Sequence, residues 1–519
     1  MVKARQLVRK PRAAATTRRV GDARGIARRK YGRYDRESMA MGSKDDEQDE
    51  LFVTHAGLRK GGGHPFYEAL EKVLKVEKFD KFVEDLCRPF YAKRGRPSIP
   101  PGVYFRSLLI GFFEGIDSER GIAWRTADSM SLRLFLGLPL SKNPPDHSTL
   151  SRTRRLLDLE THHRVFSWVL AVLAKAGLVK GKTVGVDSTT LEANAAMRSI
   201  VRRDNRQEYE EYLLELAKKS GIETPTREDI ARIDRKRPKK GSNKEWVHPL
   251  EPDADIAKMK DGRTHLAHKQ ENAVDMDTGA VLSVTLQGGT KHDTKTVEET
   301  LVEAENNIAD VRETADDETA KRVSDRIEEA VLDKGYHSNE TLLSLEESEI
   351  RAYVAEPKRG RRNWKNKAAE KRAVYNNRRR MKSRRSKGLM RRRGELLERP
   401  FAHMLETGGM RRTHLRRHDN ILKRLLVHAA GANLGLLMRT LFGVGTPRSL
   451  QGRSNLASAL VRALLAAFAA LTALWQWQRR HFGRLGRVDD ESFNRCDGGS
   501  RCRLRPQHAF HHGLLAGSE

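Results

Sequence analysis

The chain has 519 residues, enough for two to four domains that each bury a core, so size does not confine it to a binding module. Lys and Arg outnumber Asp and Glu by 99 to 69, and the resulting formal charge of +30 makes a polyanion the natural partner, nucleic acid first. Its three cysteines, Cys87, Cys496 and Cys502, exclude a disulfide framework and suit a reducing compartment.

Residues 1–36 are basic and rich in Ala and Gly, without the apolar core of a signal peptide, so a cytoplasmic location with no membrane contact is expected. The segment 1–63 adds an acidic patch (Asp45, Asp46, Glu47, Asp49, Glu50) and Lys60-Gly61-Gly62-Gly63; nothing in it forms a core, and it reads as a disordered arm. Met41 offers a second start. From Pro65 the apolar residues recur at helical spacing (Phe66, Leu70, Val73, Leu74, then Phe79, Phe82, Val83, Leu86), and an apolar helix follows over 103–115. Residues 64–178 therefore read as a small all-α domain. Within it, Pro144-Pro145-Asp146-His147-Ser148-Thr149 predicts a turn, a cap and a short helix carrying Arg152, Arg154 and Arg155, the look of a helix-turn-helix poised for phosphate and base-edge contacts.

After Lys182 the period changes to that of a strand. Thr183-Val184-Gly185-Val186-Asp187 is a β-rich run ending on an acid; 264–274, the turn Asp275-Met276-Asp277-Thr278-Gly279 and 280–286 predict a hairpin. A helix over 294–307 follows, then a second strand running into an acid, Glu329-Ala330-Val331-Leu332-Asp333, a helix near 340–345 and a strand over 351–355. This order predicts an α/β domain, a mixed sheet with helices on its faces, over 179–445. A charged insertion at about 199–259, helical near 208–219, interrupts it. From 357 to 393 about half the residues are Lys or Arg, Arg378, Arg379 and Arg380 among them, and the interleaved Trp364 and Tyr375 suggest a surface that tracks a nucleic-acid strand. In the tail, 446–519, the apolar run 456–475 reads as a packed Ala/Leu helix, being interrupted by Arg462 and then too short to span a bilayer. Cys496, Cys502, His508, His511 and His512 match no usual zinc spacing.

Cutting a phosphodiester needs charge stabilisation on the attacking and leaving oxygens, which two hard cations supply, and such cations need carboxylates at facing strand ends. Asp187 and Asp333 have that placement if their strands are neighbours, and Gly335 allows a close backbone approach. A third carboxylate belongs on the helix after the last strand, where Glu395 and Glu398 stand one turn apart and spacing does not choose; Pro400 is expected to kink that helix. Asp261 reads as a turn residue and Asp293 as a helix N-cap.

Gly185-Val186-Asp187-Ser188-Thr189-Thr190, Asp333-Lys334-Gly335-Tyr336 and Glu398-Arg399-Pro400-Phe401 resemble the three motifs of DDE transposases encoded by bacterial insertion sequences. The similarity runs from about His64 to Arg453 and includes Leu108-Leu109-Ile110-Gly111-Phe112-Phe113-Glu114-Gly115, Asp146-His147-Ser148-Thr149 and the stretch from Gly408 to Leu434. It implies a ribonuclease-H-like core in which Asp187, Asp333 and Glu398 bind two Mg²⁺ or Mn²⁺ ions, and it selects Glu398 over Glu395. The wider group often has an Arg four residues before this Glu and a Lys seven after it. Gly394 and Leu405 stand there, so the phosphate contacts fall to Arg399, Arg411 or Arg412. The implied activity is binding of an element's terminal inverted repeats, cleavage of a strand at each end, and attack of the freed 3′-hydroxyl on target duplex, with a homodimer in the synaptic complex. A plain metal-dependent nuclease and a decayed or domesticated DNA-binding protein are the alternatives.

Overall fold

A computed structural model describes residues 63–450 except 93–97, 140–141, 237–240, 260–261, 359 and 361. The expectations for the arm, the 456–475 run, the Cys/His tail and Asp261 lie outside these residues. The amino-terminal part is helical throughout: α1 (Pro65–Val76), α2 (Phe79–Cys87), α3 (Pro101–Glu114), α4 (Glu119–Ala127), α5 (Met130–Phe135), α6 (His147–Leu156) and α7 (Leu159–Lys175). The sequence sets the boundaries: Ser118, Ser129, Asp146 and Asp158 each accept a hydrogen bond from a backbone amide of the helix they precede, and Gly115 (φ +72°) closes α3 in a conformation that costs other residues energy.

The sheet begins with β1 (Thr183–Glu192). The insertion then contributes β2 (Val201–Arg202), α8 (Tyr209–Lys219), α9 (Arg227–Lys236) and β3 (Trp246–Val247), with β2 and β3 paired apart from the main sheet. A separate apolar cluster of Ala193, Ile200, Trp246, Ala254, Ile256 and Leu266 lies beneath it. There follow β4 (Asp255–Lys258), β5 (Thr264–Asp275), β6 (Val281–Gly288), α10 (Val297–Thr314), α11 (Asp317–Arg322), β7 (Glu329–Leu332), α12 (Asn339–Glu347), β8 (Arg351–Val354), α13 (Ala368–Met381), α14 (Arg384–Phe401) and α15 (His418–Phe442).

The main sheet is mixed. Its path is β4-β5-β1-β7-β8, with β6 also paired to β5. β5 runs antiparallel to β1, β4 and β6, whereas β1–β7 and β7–β8 are parallel. β5 is long enough to hold β4 with one half of an edge and β6 with the other, which is why the predicted hairpin is joined by a strand from the insertion.

The helices of 64–178 and the sheet share one hydrophobic core. α7 and α10 pack together, and α15 lies against α7, α3 and β6. α15 is long and apolar enough to cross a membrane, but it is a mostly buried core helix. Its polar residues join the layers: Lys423 donates to the carbonyl oxygen of Leu157 at the end of α6 (2.8 Å), and Asn433 both donates to and accepts from the Val281 backbone at the start of β6 (2.8 Å each). Pro400 does not end α14. The chain stays helical to Phe401 and then widens into a π-helical turn, Ala402–Thr407.

Candidate active site

Gly185 pairs with Val331 in the parallel β1–β7 ladder, and two residues further along both chains stand Asp187 and Asp333. β7 ends at Leu332, whereas β1 continues to Glu192 along β5. β1 thus runs five residues past the acid at which the sequence pattern had suggested an end. Beyond Asp187 no strand among the described residues pairs with its β7-side edge until Glu192, which bonds to the backbone of Arg411 and Thr413, and the two carboxylates stand at the start of that gap. Burial pushes the Asp187 carboxyl above its usual range; the Arg393 guanidinium at 3.1 Å pulls it back, while the negative charges of Asp333 and Asp293 add to the rise.

The presence of Asp293 here departs from the helix-cap expectation. It sits in a 3-10 turn ahead of α10, and its side chain caps no helix. Its Oδ1 accepts from Ser188 Oγ (2.9 Å) and pairs with Lys269 Nζ (2.5 Å). On the α10 side of the sheet, buried Glu271 accepts from Thr296 Oγ1 (2.8 Å), Thr300 Oγ1 and the Tyr336 hydroxyl (2.8 Å), and Lys269 donates to Thr296 Oγ1 (2.9 Å). Tyr336 thereby ties the turn after Asp333 to β5. Its hydroxyl holds its proton well above the ordinary range, first through burial and then through the charges of Glu271 and Asp293. Gly335 completes the turn by donating its amide to Asp333 Oδ1 (2.6 Å). A Cβ at Gly335 would lie 2.6 Å from Asp293 Oδ2 and 3.0 Å from Asp333 Oδ1, so any side chain there would displace a carboxylate or the turn itself.

α14 crosses the opposite face. Arg385 is anchored to Glu329 (2.5 Å), Arg393 reaches Asp187, and Leu397 packs against the Cα of Gly185. Glu398, one residue past buried Leu397, is exposed and has no side-chain partner among the described residues; Glu395 pairs with Arg399 on the surface (2.5 Å). Asp187 and Asp333 are therefore brought together, Asp293 joins them, and Glu398 stands apart, with Arg393 the residue of α14 that touches Asp187. Among the described residues no three His, Cys, Asp or Glu side chains converge closely enough to form a metal shell by themselves. The carboxylate oxygens of Asp187 and Asp333 are donors of the kind a hard divalent cation that keeps much of its water takes.

Residues 59–156 match the family model described as Transposase domain (DUF772). The match supports a transposase-family protein. It covers the helices α1 to α6 and stops short of the sheet that carries the acids. No curated protein and no solved structure is matched.

The arginines assigned to DNA divide by their partners. Arg152, Arg155 and Arg379 are exposed and have no carboxylate partner among the described residues. Arg154 is tied to Glu119 of α4. Arg378 grips Glu356 through two bonds (2.7 and 2.8 Å) and covers the Tyr375 ring, and Arg380 donates to the Ala352 carbonyl oxygen (3.0 Å), so both brace α13 against β8 and the loop after it. Arg399 and Arg411 are exposed but paired with Glu395 and Glu406, and Arg412 lies 3.5 Å from Glu192. The aromatics of the basic run also face arginines of their own chain, Arg362 over Trp364 and Arg378 over Tyr375.

Proposed function

We propose that this chain is a DNA transposase that cuts at the ends of its own element and joins them to target DNA at a metal-dependent carboxylate centre. The observation that carries the proposal is the in-register pairing of the strands that bear Asp187 and Asp333, at a sheet edge where β7 stops and β1 continues. A mixed sheet whose central strand and its parallel neighbour each present an acid supports a ribonuclease-H-like core, and the transposase-domain match in the preceding helices supports the substrate class. Asp187 and Asp333 would hold the divalent cations, Mg²⁺ or Mn²⁺, and by the resemblance Glu398 on α14 completes the set. Bound there, the ions stabilise charge on the attacking and leaving oxygens of an in-line displacement, so one centre serves both hydrolysis and transfer.

The residues have distinct tasks. Asp333 is held in place by the amide of Gly335 and, through the turn, by the bond between Tyr336 and Glu271. Arg393 neutralises Asp187 in the arrangement described and must release it for the carboxylate to take a cation. Arg152 and Arg155 on α6, with Arg379 on α13, have no carboxylate partner among the described residues and would contact phosphates, and a helix-turn-helix role for α6 rests on its Asp146 cap and this exposed basic face. A dimer would bring two element ends together.

The test of the joining step is incubation of a labelled duplex ending in a free 3′-hydroxyl, taken from the boundary of the element, with supercoiled plasmid and Mg²⁺. Label transferred to the plasmid by the wild-type protein but not by Asp187→Asn is expected. Cutting without any transfer would leave a plain nuclease, and binding with neither would leave a DNA-binding protein.

A further inference from the structure

We propose that Arg393 couples metal uptake to DNA binding: seated on Asp187 it neutralises the centre, and a DNA phosphate that draws it away frees the carboxylate for a divalent cation. The inference rests on the metal-dependent function proposed above and names how that site is regulated.

The charges around the acids are nearly matched by the chain itself. Lys269, buried on β5, pairs with Asp293 (2.5 Å) and is fixed by Thr296 Oγ1 (2.9 Å), so it stays where it is. Arg393 lies 3.1 Å from Asp187 Oδ1, an oxygen that also accepts from the Ser188 amide (2.9 Å). Of the three acids Asp333 alone has no cationic partner among the described residues; it accepts the amide of Gly335. A divalent ion on the Asp187 carboxylate would bond at about 2.0–2.1 Å and so stand within a few ångströms of the guanidinium. That is a like charge in a half-buried setting, where repulsion is only partly screened, so Arg393 and the ion compete for Asp187.

Two features let Arg393 leave. α14 is pinned on either side of it, by the Arg385–Glu329 pair two turns earlier and by Leu397 packed on Gly185 one turn later, so the side chain can swing while the helix stays in place. Its donors are also underused: Nε is buried with no hydrogen-bond partner, and Nη2 reaches the Val186 carbonyl oxygen only at 3.5 Å. An unpaired buried donor is costly, and a guanidinium fits a phosphate with two parallel bonds. The arginines at the far end of the gap are already engaged, Arg411 by Glu406 and Arg412 by Glu192. Arg393 is therefore the cation at the acids with donors to offer a DNA backbone. By linkage the effect is mutual, since whatever DNA does for the affinity of the ion, the ion does for the affinity of DNA.

The experiment uses the full-length protein and Mn²⁺ at slightly alkaline pH, with free Mn²⁺ followed by its electron paramagnetic resonance signal during titration. Wild type, Arg393→Gln, Arg393→Met, Asp187→Asn and, as a control for net charge, Arg391→Gln at an exposed neighbour on α14 are compared. Each is titrated alone and with a duplex that already ends at the element boundary and leaves nothing to cut; uptake by the duplex itself is subtracted. Without DNA, both Arg393 variants are expected to bind Mn²⁺ about 5- to 150-fold more tightly than wild type, the usual span of coupling between two sites, with Arg391→Gln unchanged and Asp187→Asn weaker. The duplex is expected to bring wild type close to the Arg393 variants and to change those variants little. Arg393 variants that bind Mn²⁺ no better than wild type would overturn the inference while leaving the metal centre standing, because Arg393 would then only hold Asp187 in place. A duplex that strengthens uptake equally in wild type and variants would also overturn it, the effect being that of DNA charge alone. No Mn²⁺ uptake by any of the proteins, with or without DNA, would overturn the metal centre and the inference with it. Should neither Arg393 variant fold, wild type still decides: uptake strengthened more by the boundary duplex than by an unrelated duplex of equal length is expected, and equal effects refute the coupling.

Discussion

Replacing Gly335 by Ala adds one methyl group between two carboxylates and changes nothing else. The new carbon would sit 2.6 Å from Asp293 Oδ2, where ordinary contact begins at 3.4 Å, and 3.0 Å from Asp333 Oδ1. One or both carboxylates must therefore retreat, Asp293 by about 0.8 Å if it alone moves, and a displacement near 1 Å at a reacting centre costs on the order of 100-fold in rate. Asp293 cannot move freely, because Ser188 and Lys269 hold its other oxygen. The turn at residue 335 is thus expected to shift away from Asp293 and to carry with it the Asp333 carboxylate bonded to the residue-335 amide. The assay is single-turnover cutting of a labelled element-end duplex, run beside a binding measurement on the same DNA. A fall of about 100-fold in cutting with unchanged DNA affinity is the expected outcome. Cutting within a few-fold of wild type would refute the convergence of these two acids at the reacting centre.

Tyr336→Phe keeps the ring in the core but leaves buried Glu271 one donor short; a loss of about 1.5–3 kcal/mol in stability follows from removing a hydrogen bond to a charged group, together with a rise of roughly tenfold or more in the Mn²⁺ concentration that half-saturates cutting. A variant that is less stable but has unchanged metal dependence would show that the bond merely supports the fold. Arg393→Gln removes the charge that lowers the Asp187 carboxyl, while burial, Asp333 and Asp293 still raise it. A carboxyl held above its unfolded value keeps its proton to higher pH, so the acid limb of Mn²⁺ uptake should move to higher pH in this variant, and Asp187's contribution to stability should decline as pH rises through the raised value; an acid limb that stays in place would count against Asp187 as a ligand. Arg152→Ala and Arg155→Ala should weaken DNA binding and each flatten the slope of log affinity against log salt by about 0.9. Arg378→Ala should lower stability through loss of the Glu356 fork and leave the salt slope alone, a contrast that filter binding and thermal unfolding read directly.

Much of the sheet was legible because its signals are local. A short apolar run that ends on Asp187 or Asp333, and a long hairpin with Gly279 at its turn, are β-rich runs bounded by turn residues and need no tertiary knowledge. The length of β1 was not legible, because what extends it past Asp187 is the length of its partner β5. Asp293 reads as a helix cap in the sequence because an acid ahead of a helix usually is one. The signals against that reading are Ser188 and Lys269, 105 and 24 residues away, which no local pattern contains. Glu398 illustrates the opposite difficulty: the family resemblance favoured it, while the buried face of α14, formed by Leu389, Leu397 and Pro400, leaves it outward. The arginines of α13 resemble a nucleic-acid surface in sequence, yet Arg378 and Arg380 are used by Glu356 and the backbone of β8. Likewise, nothing local shows that the core of the helices of 64–178 is continuous with that of the sheet through α7, α10 and α15.

The measurement that goes most directly to the carboxylate centre is cleavage of labelled duplexes from the DNA flanking the gene, with Mg²⁺, by wild type and by Asp333→Asn. Cutting at a repeat end by the wild-type protein alone, with both proteins binding the duplex equally, is the expected result. Equal cutting by the two proteins would contradict a role for Asp333 in the chemistry, and binding without cutting by both would contradict catalysis altogether.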